Sequence, residues 1–396
     1  MLYTREIINS IAKVLSREEF IILTGARQTG KTSILLLIKQ ILEKQKETCF
    51  YFNLEDPDFL TPFNQHPFNL FEFLPDSKNK LYVFIDEIQY LDHPSRFLKL
   101  LFDEKRTQIK IITTGSSSFY IDKKFKDSLV GRKFLFEIYP LNFSEFLTFN
   151  DREDLRELQE KKINTYYRKE LQNLYQTYFT FGGYPKVALT KDLEIKKIIL
   201  GEIGASYVKK DVIEAGLKSP EKYFSLLRVL AGQTGQLLNI QELSKSLKIS
   251  HKTVEEYLYV MQKSYQVALI RPFYRNIKKE LTKMPKVYFY DLGLRNFFLK
   301  NYEALEQRVD KGQFLENIVF KEFLHRVADL DKINFWRTQD KKEVDFVLDK
   351  EAYEIKYNQK KIKKNRYQSF LEQYPEINLQ FISSEDVLPR FYGYEM

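Results

Sequence analysis

Gly25-Ala26-Arg27-Gln28-Thr29-Gly30-Lys31-Thr32 follows directly on the apolar run Phe20-Ile21-Ile22-Leu23 and leads into a helix-forming stretch from Ile34 to Ile38. The spacing is that of the phosphate loop, G-x-x-x-x-G-K-[ST]. A strand before it and a helix after it make the setting in which that string binds nucleotide. Gly25, Ala26, Arg27, Gln28, Thr29, Gly30, Lys31, Thr32 and Ser33 are therefore the expected cradle for the phosphates of ATP. In such a cradle backbone N–H groups close around the anion, Lys31 reaches the β and γ oxygens, and Thr32 offers its hydroxyl to Mg²⁺. The N-terminus of the following helix faces the same anion.

Hydrolysis needs a carboxylate beside that hydroxyl, and Leu81-Tyr82-Val83-Phe84-Ile85-Asp86-Glu87 supplies one. The unbroken apolar run predicts a fully buried parallel strand. Asp86 at its carboxyl end is the expected partner of Thr32 at the metal, and Glu87 the group that orients and deprotonates the attacking water. The plain alternative is a buried strand ending in a solvated acidic turn. Adjacent Asp and Glu mark the branch of phosphate-loop ATPases with an added strand between the two motifs.

Lys110-Ile111-Ile112-Thr113-Thr114-Gly115-Ser116-Ser117-Ser118 reads as a further strand whose hydroxyl-rich end lies where ligands of open α/β sheets gather. Strand, Asp-Glu and T-T-G-S-S together resemble the AAA-type ATPases. The resemblance implies Ser116, or equally Ser117, as the polar sensor; hydroxyls that simply cap the next helix are the alternative. Arg132, in Ser128-Leu129-Val130-Gly131-Arg132, is a candidate arginine finger or γ-phosphate sensor, in its own subunit or across an interface.

With 396 residues, 43% of them hydrophobic and 30% charged, the chain has material for two or three domains with buried cores. No apolar run is long enough to span a bilayer, and Met1-Leu2-Tyr3-Thr4-Arg5-Glu6 does not begin a signal peptide, so a cytoplasmic protein without a membrane partner is expected. The single cysteine, Cys49, excludes an intramolecular disulfide and a cysteine-rich metal site. A net charge of +9 permits contact with nucleic acid without requiring it. Nothing in the sequence sets an oligomeric state.

Strands near residues 20–24, 49–53, 81–85, 109–114 and 134–138 alternate with helical segments, which predicts an α/β fold with a parallel sheet: an AAA-type ATPase core over 1–145. A helical lid or linker region is expected over 146–235. Within it the paired glycines of Phe181-Gly182-Gly183-Tyr184-Pro185 predict a tight turn, read as a hinge. That phrase also resembles one found in a group of prokaryotic AAA-type ATPases.

Residues 236–300 read as a winged helix-turn-helix. Asn239 with Glu242 forms a capping box, Ser250 caps a second helix with Val254, Leu258 and Met261 on one face, and Val267 to Pro272 pairs with Lys286 to Tyr290 as a hairpin. Arg271, Arg275, Lys278, Lys279 and Lys283 favour DNA as a partner, whereas Glu255 and Glu256 on the second helix oppose it.

Over 301–396, Glu343 to Leu348 and Glu351 to Lys356 read as strands joined at Asp349-Lys350, which sets Asp345 opposite Glu354 with Lys356 on the same face. Two carboxylates and a lysine so placed suit metal-assisted phosphodiester hydrolysis. The pattern resembles the PD-(D/E)xK restriction-endonuclease-like superfamily. That resemblance implies Asp345, Glu354 and Lys356 as catalytic, with Asp345, Glu354 and the helical acid Glu316 at the metal; Val344 stands where the superfamily has proline. The basic run Lys360, Lys361, Lys363, Lys364 and Arg366 fits either a nucleic-acid track or a solvated face.

In this order the motifs resemble a prokaryotic AAA-type ATPase family with a C-terminal nuclease-like domain. Two functions stay open: an ATP-driven switch that acts on DNA, and a signalling ATPase whose C-terminal domains bind a protein.

Overall fold

The computed structural model describes residues 2–115, 129–157, 165–273, 283–327, 329–361 and 364–385. The chain divides into two compact units, residues 1–140 with 263–265, and residues 141–262 with 266–396.

The first unit is built on β1 (Phe20–Gly25), α1 (Lys31–Lys44), β2 (Cys49–Asn53), β3 (Leu81–Asp86), α2 (Pro94–Lys105), β4 (Ile109–Thr114) and β5 (Lys133–Ile138). The strands lie in the order β2-β3-β4-β1-β5 and every pairing is parallel. β4 therefore stands between the phosphate-loop strand and the Asp-Glu strand, as the adjacency of Asp86 and Glu87 implies. Alternation along β1 divides the core: Phe20 and Ile22 join Val83, Ile85, Leu101 and Ile111 on one face, while Ile21 and Leu23 join Ile34, Leu35, Ile38, Phe84 and Ile112 on the other. Both faces are covered, which is why these strands read as unbroken apolar runs. Parallel packing also brings the carboxyl ends of β3, β4 and β1 side by side.

The second unit contains α3 (Thr165–Phe181), α4 (Ile240–Leu247), α5 (His251–Lys263), β6 (Val267–Pro272), β7 (Lys286–Phe289), α6 (Leu292–Leu299), α7 (Lys311–Val327), β8 (Asn334–Arg337), β9 (Glu343–Leu348), β10 (Glu351–Lys356) and β11 (Asn378–Ser383). Asn239 caps α4 by accepting from the amides of Gln241 and Glu242, and Ser250 Oγ accepts from Thr253 N. Val254, Leu258 and Met261 are buried. β6 and β7 pair antiparallel, with Val267 opposite Phe289. The hairpin does not stop there. Arg271 and Pro272 of β6 pair with Asn334 and Phe335 of β8, so one six-stranded sheet, β11-β10-β9-β8-β6-β7, runs across the boundary expected at residue 300.

Phe181-Gly182-Gly183-Tyr184-Pro185 is a buried knot rather than the hinge its glycines predict. Gly183 N donates to Asp291 Oδ2 (2.7 Å), Leu141 N donates to Gly183 O (2.7 Å), and Asn296 of α6 donates to the carbonyls of Phe179 and Thr180. A Cβ on Gly182, which has φ +79°, would lie 2.1 Å from Asp291 Oδ1, and one on Gly183 would lie 2.3 Å from Leu141 O. The paired glycines serve close approach of Asp291 and Leu141.

Candidate functional site

At the end of β1 the chain turns through Gly25 (φ +146°), Gln28 (φ +60°) and Gly30 (φ +89°) into α1. A Cβ on Gly25 would lie 2.2 Å from Ile138 O, so only glycine lets β5 pack against this turn. Thr29 Oγ1 donates to Ala26 O (2.8 Å), which closes the loop on itself. Lys31 Nζ lies over the loop, donating to the carbonyls of Gly25 (3.1 Å) and Ala26 (2.7 Å). An ammonium held there by two carbonyls is already desolvated and aimed into the cradle.

The two halves of the expected site meet. Thr32 Oγ1 lies 3.2 Å from Asp86 Oδ1, and Tyr51 of β2 donates to Asp86 Oδ2 (3.0 Å). Burial, reinforced by Asp86, raises the Tyr51 phenol pKa, so it stays a donor. Thr114, at the end of β4, hydrogen-bonds Asp86 Oδ1 and accepts from Glu87 N (2.9 Å). Glu87 has φ +59°, a left-handed conformation unfavourable to a side chain by roughly 1 kcal/mol. The Thr114 hydroxyl helps hold it there, and Gln89 Nε2 donates to its carboxylate.

Thr114 is a site residue the sequence reading passed over in favour of its neighbour Ser116, which lies outside the described residues together with Ser117. Thr114 ends β4, the strand that pairs with β3. Arg5 had no signal in the sequence. Its buried guanidinium donates to Thr29 O (3.0 Å) and Tyr139 O (2.9 Å), tying the phosphate loop to the chain beyond β5.

Arg132 lies away from the phosphate loop of its own chain. Its carbonyl accepts from Phe20 N at the start of β1, and its guanidinium pairs with Asp103 of α2 (2.6 Å). The phosphate loop leaves the other end of β1, roughly 15 Å away along a strand of this length.

In the second unit Asp345, Glu354, Lys356 and Glu316 come together in one cluster. The β9/β10 register sets Tyr353 opposite Phe346, and Asp345 Oδ2 accepts from Ile355 N (2.9 Å) just beyond that pair. Lys356 Nζ binds Glu354 and lies 4.0 Å from Asp345. Between Glu316 on α7 and Asp345 on β9 stands a residue the sequence reading missed, Lys286 of β7. Its Nζ lies 2.6 Å from Glu343, 3.0 Å from Glu316 and 3.4 Å from Asp345, and its side chain is 1% exposed. Tyr288 donates to Glu316 and Arg337 pairs with Glu343. Among the described residues no group of three or more acids, histidines or cysteines is arranged to hold a metal ion. Where Asp345, Glu354 and Glu316 were expected at a metal, an internal ammonium lies between Glu316 and Asp345.

Four carboxylates face three cations here, so one negative charge is in excess. Burial and the neighbouring Asp345 push Glu354 up to about 8, while Lys286 rises as Glu316, Tyr288, Asp345 and Glu343 overcome the opposing effect of its burial. An unfolded glutamate releases its proton near 4.5, so the stability Glu354 contributes is full below that pH and is lost as pH rises through about 8. The second unit is expected to lose stability between about pH 5 and pH 8, by at most about 1.4 kcal/mol per pH unit, and Glu354→Gln to flatten that slope in urea unfolding. A slope unchanged by Glu354→Gln would assign the proton elsewhere.

Residues 17–147 match the model of an AAA domain; residues 172–304 and 311–390 match two domains of unknown function, DUF8612 and DUF4143. An uncharacterized protein of Methanocaldococcus jannaschii is 29% identical over 399 residues, covering 95% of this chain and 86% of that protein. Another, from Haemophilus influenzae, is 29% identical over 349 residues, covering 85% and 81%. Among solved structures, the Thermotoga maritima RuvB Holliday junction branch migration motor overlaps 71% of this chain and 95% of its own at 14% identity and a TM-score of 0.35. The family match, with the strand order and the loop geometry, makes the N-terminal unit an AAA-type P-loop ATPase domain.

Proposed function

We propose that the chain is an ATP-hydrolysing switch that acts on DNA through its second unit, in which residues 236–300 serve as a winged helix and residues 301–396 as a nuclease-like fold. The observation that carries the ATPase reading is the convergence of Lys31, the Thr32–Asp86 pair and the Thr114-held Glu87 at one sheet edge. Thr32 and Asp86 present adjacent hard oxygen donors, a set suited to Mg²⁺. A Mg²⁺ bound there supplies charge neutralisation for the β- and γ-phosphates. The loop amides from Gly25 to Ser33 bind and orient the phosphates, Lys31 exchanges its two carbonyl partners for phosphate oxygens, and Glu87 takes the proton of the attacking water.

DNA contact rests on the net charge and the basic residues around the hairpin, of which Arg271 and Lys283 are exposed. The full chain is expected to bind duplex DNA in a salt-sensitive way, weakened by Arg271→Ala with Lys283→Ala. Binding indifferent to both salt and these substitutions would refute it. One observation favours a second reading, a protein-binding scaffold without nuclease activity: Lys286 lies within the acidic cluster on which cleavage would depend.

A further inference from the structure

We propose that the ammonium group of Lys286 fills the place of a divalent cation among Glu316, Glu343 and Asp345, so that this cluster is built to stand without a metal. A lysine carries three N–H donors, and three carboxylates from two elements lie within 3.4 Å of this one. The fourth acid, Glu354, already has Lys356, and Glu343 shares Arg337. A metal ion entering beside a buried ammonium would meet its full repulsion at short range, where little water screens it.

The arrangement also explains where the lysine comes from. Lys286 opens β7, whose partner β6 continues the sheet toward β8 and β9. Its ion pairs therefore tie the helix-hairpin segment to α7 and to β9, which carries Asp345. Removing the ammonium would leave buried carboxylates without their cation, a costly state that a divalent ion can relieve.

Mn²⁺ titration of the nucleotide-free full chain, read by electron paramagnetic resonance, tests this independently of the phosphate-loop reading. Wild type and Asp345→Asn are expected to bind Mn²⁺ alike. Lys286→Met is expected to bind it at least tenfold more tightly, a gain abolished by adding Asp345→Asn. Asp345-dependent Mn²⁺ binding by the wild type would overturn the proposal, as would a Lys286→Met protein with native circular dichroism and no gain. If Lys286→Met does not fold, the comparison of wild type with Asp345→Asn decides alone.

Discussion

Glu87→Gln is expected to bind Mg·ATP as the wild type does and to lose at least about a hundredfold in turnover, the usual contribution of a positioned general base. The amide keeps the size of the side chain and its contact with Gln89 while it cannot take a proton. The ladder and the loop stay intact, so the loss falls on kcat rather than on nucleotide affinity. Thr114→Val provides the internal comparison. It removes the hydroxyl that accepts from Glu87 N and contacts Asp86, and is expected to lower turnover by roughly tenfold, one net hydrogen bond's worth. A Glu87→Gln protein with wild-type turnover would remove Glu87 from the chemistry.

Asp291→Ala carries the largest expected effect on stability. Asp291 is buried, accepts from Gly183 N (2.7 Å) and Leu294 N (2.9 Å), and lies 3.8 Å from Lys321, which is itself buried over the ring of Tyr178. Burial lowers the Lys321 pKa, and Asp291 is the first of the acids that oppose this shift. Taking Asp291 away leaves two amides and a cation buried together, a change that costs about 3–5 kcal/mol. Chemical denaturation of the full chain is expected to move the transition of the second unit by that amount and leave the first unit's transition in place. Adding Lys321→Met should recover part of the loss. A shift under about 1 kcal/mol would mean that the knot around Gly182 and Gly183 holds without its carboxylate.

The nucleotide site was legible in the sequence because its parts are local. Gly25 to Thr32 is one turn, and Asp86-Glu87 ends one apolar run, so parallel packing alone brings them together. The winning signals were unbroken apolar stretches, which only a sheet covered on both faces requires. Thr114 was passed over because hydroxyls crowd that strand end and nothing local ranks them. Arg132, which precedes β5, lies at the amino edge of the parallel sheet, away from the phosphate loop of its own chain, because strand direction decides which end of a strand meets that loop.

In the second unit the local pattern was right and the tertiary partner invisible. Asp345, Glu354 and Lys356 sit near one another on β9 and β10 as their alternation requires. Lys286 reaches them from a strand far away in sequence, and no spacing rule connects it to Asp345. The paired glycines likewise read as freedom because the sequence does not show Asp291 and Leu141 packed against them.

The most direct test of the ATPase assignment is single-turnover phosphate release from Mg·ATP with the full chain in excess, wild type beside Lys31→Ala. The account predicts complete release by the wild type and a loss of release and of nucleotide binding in the variant. Release that survives Lys31→Ala, or a wild type that binds Mg·ATP and never cleaves it, would contradict it.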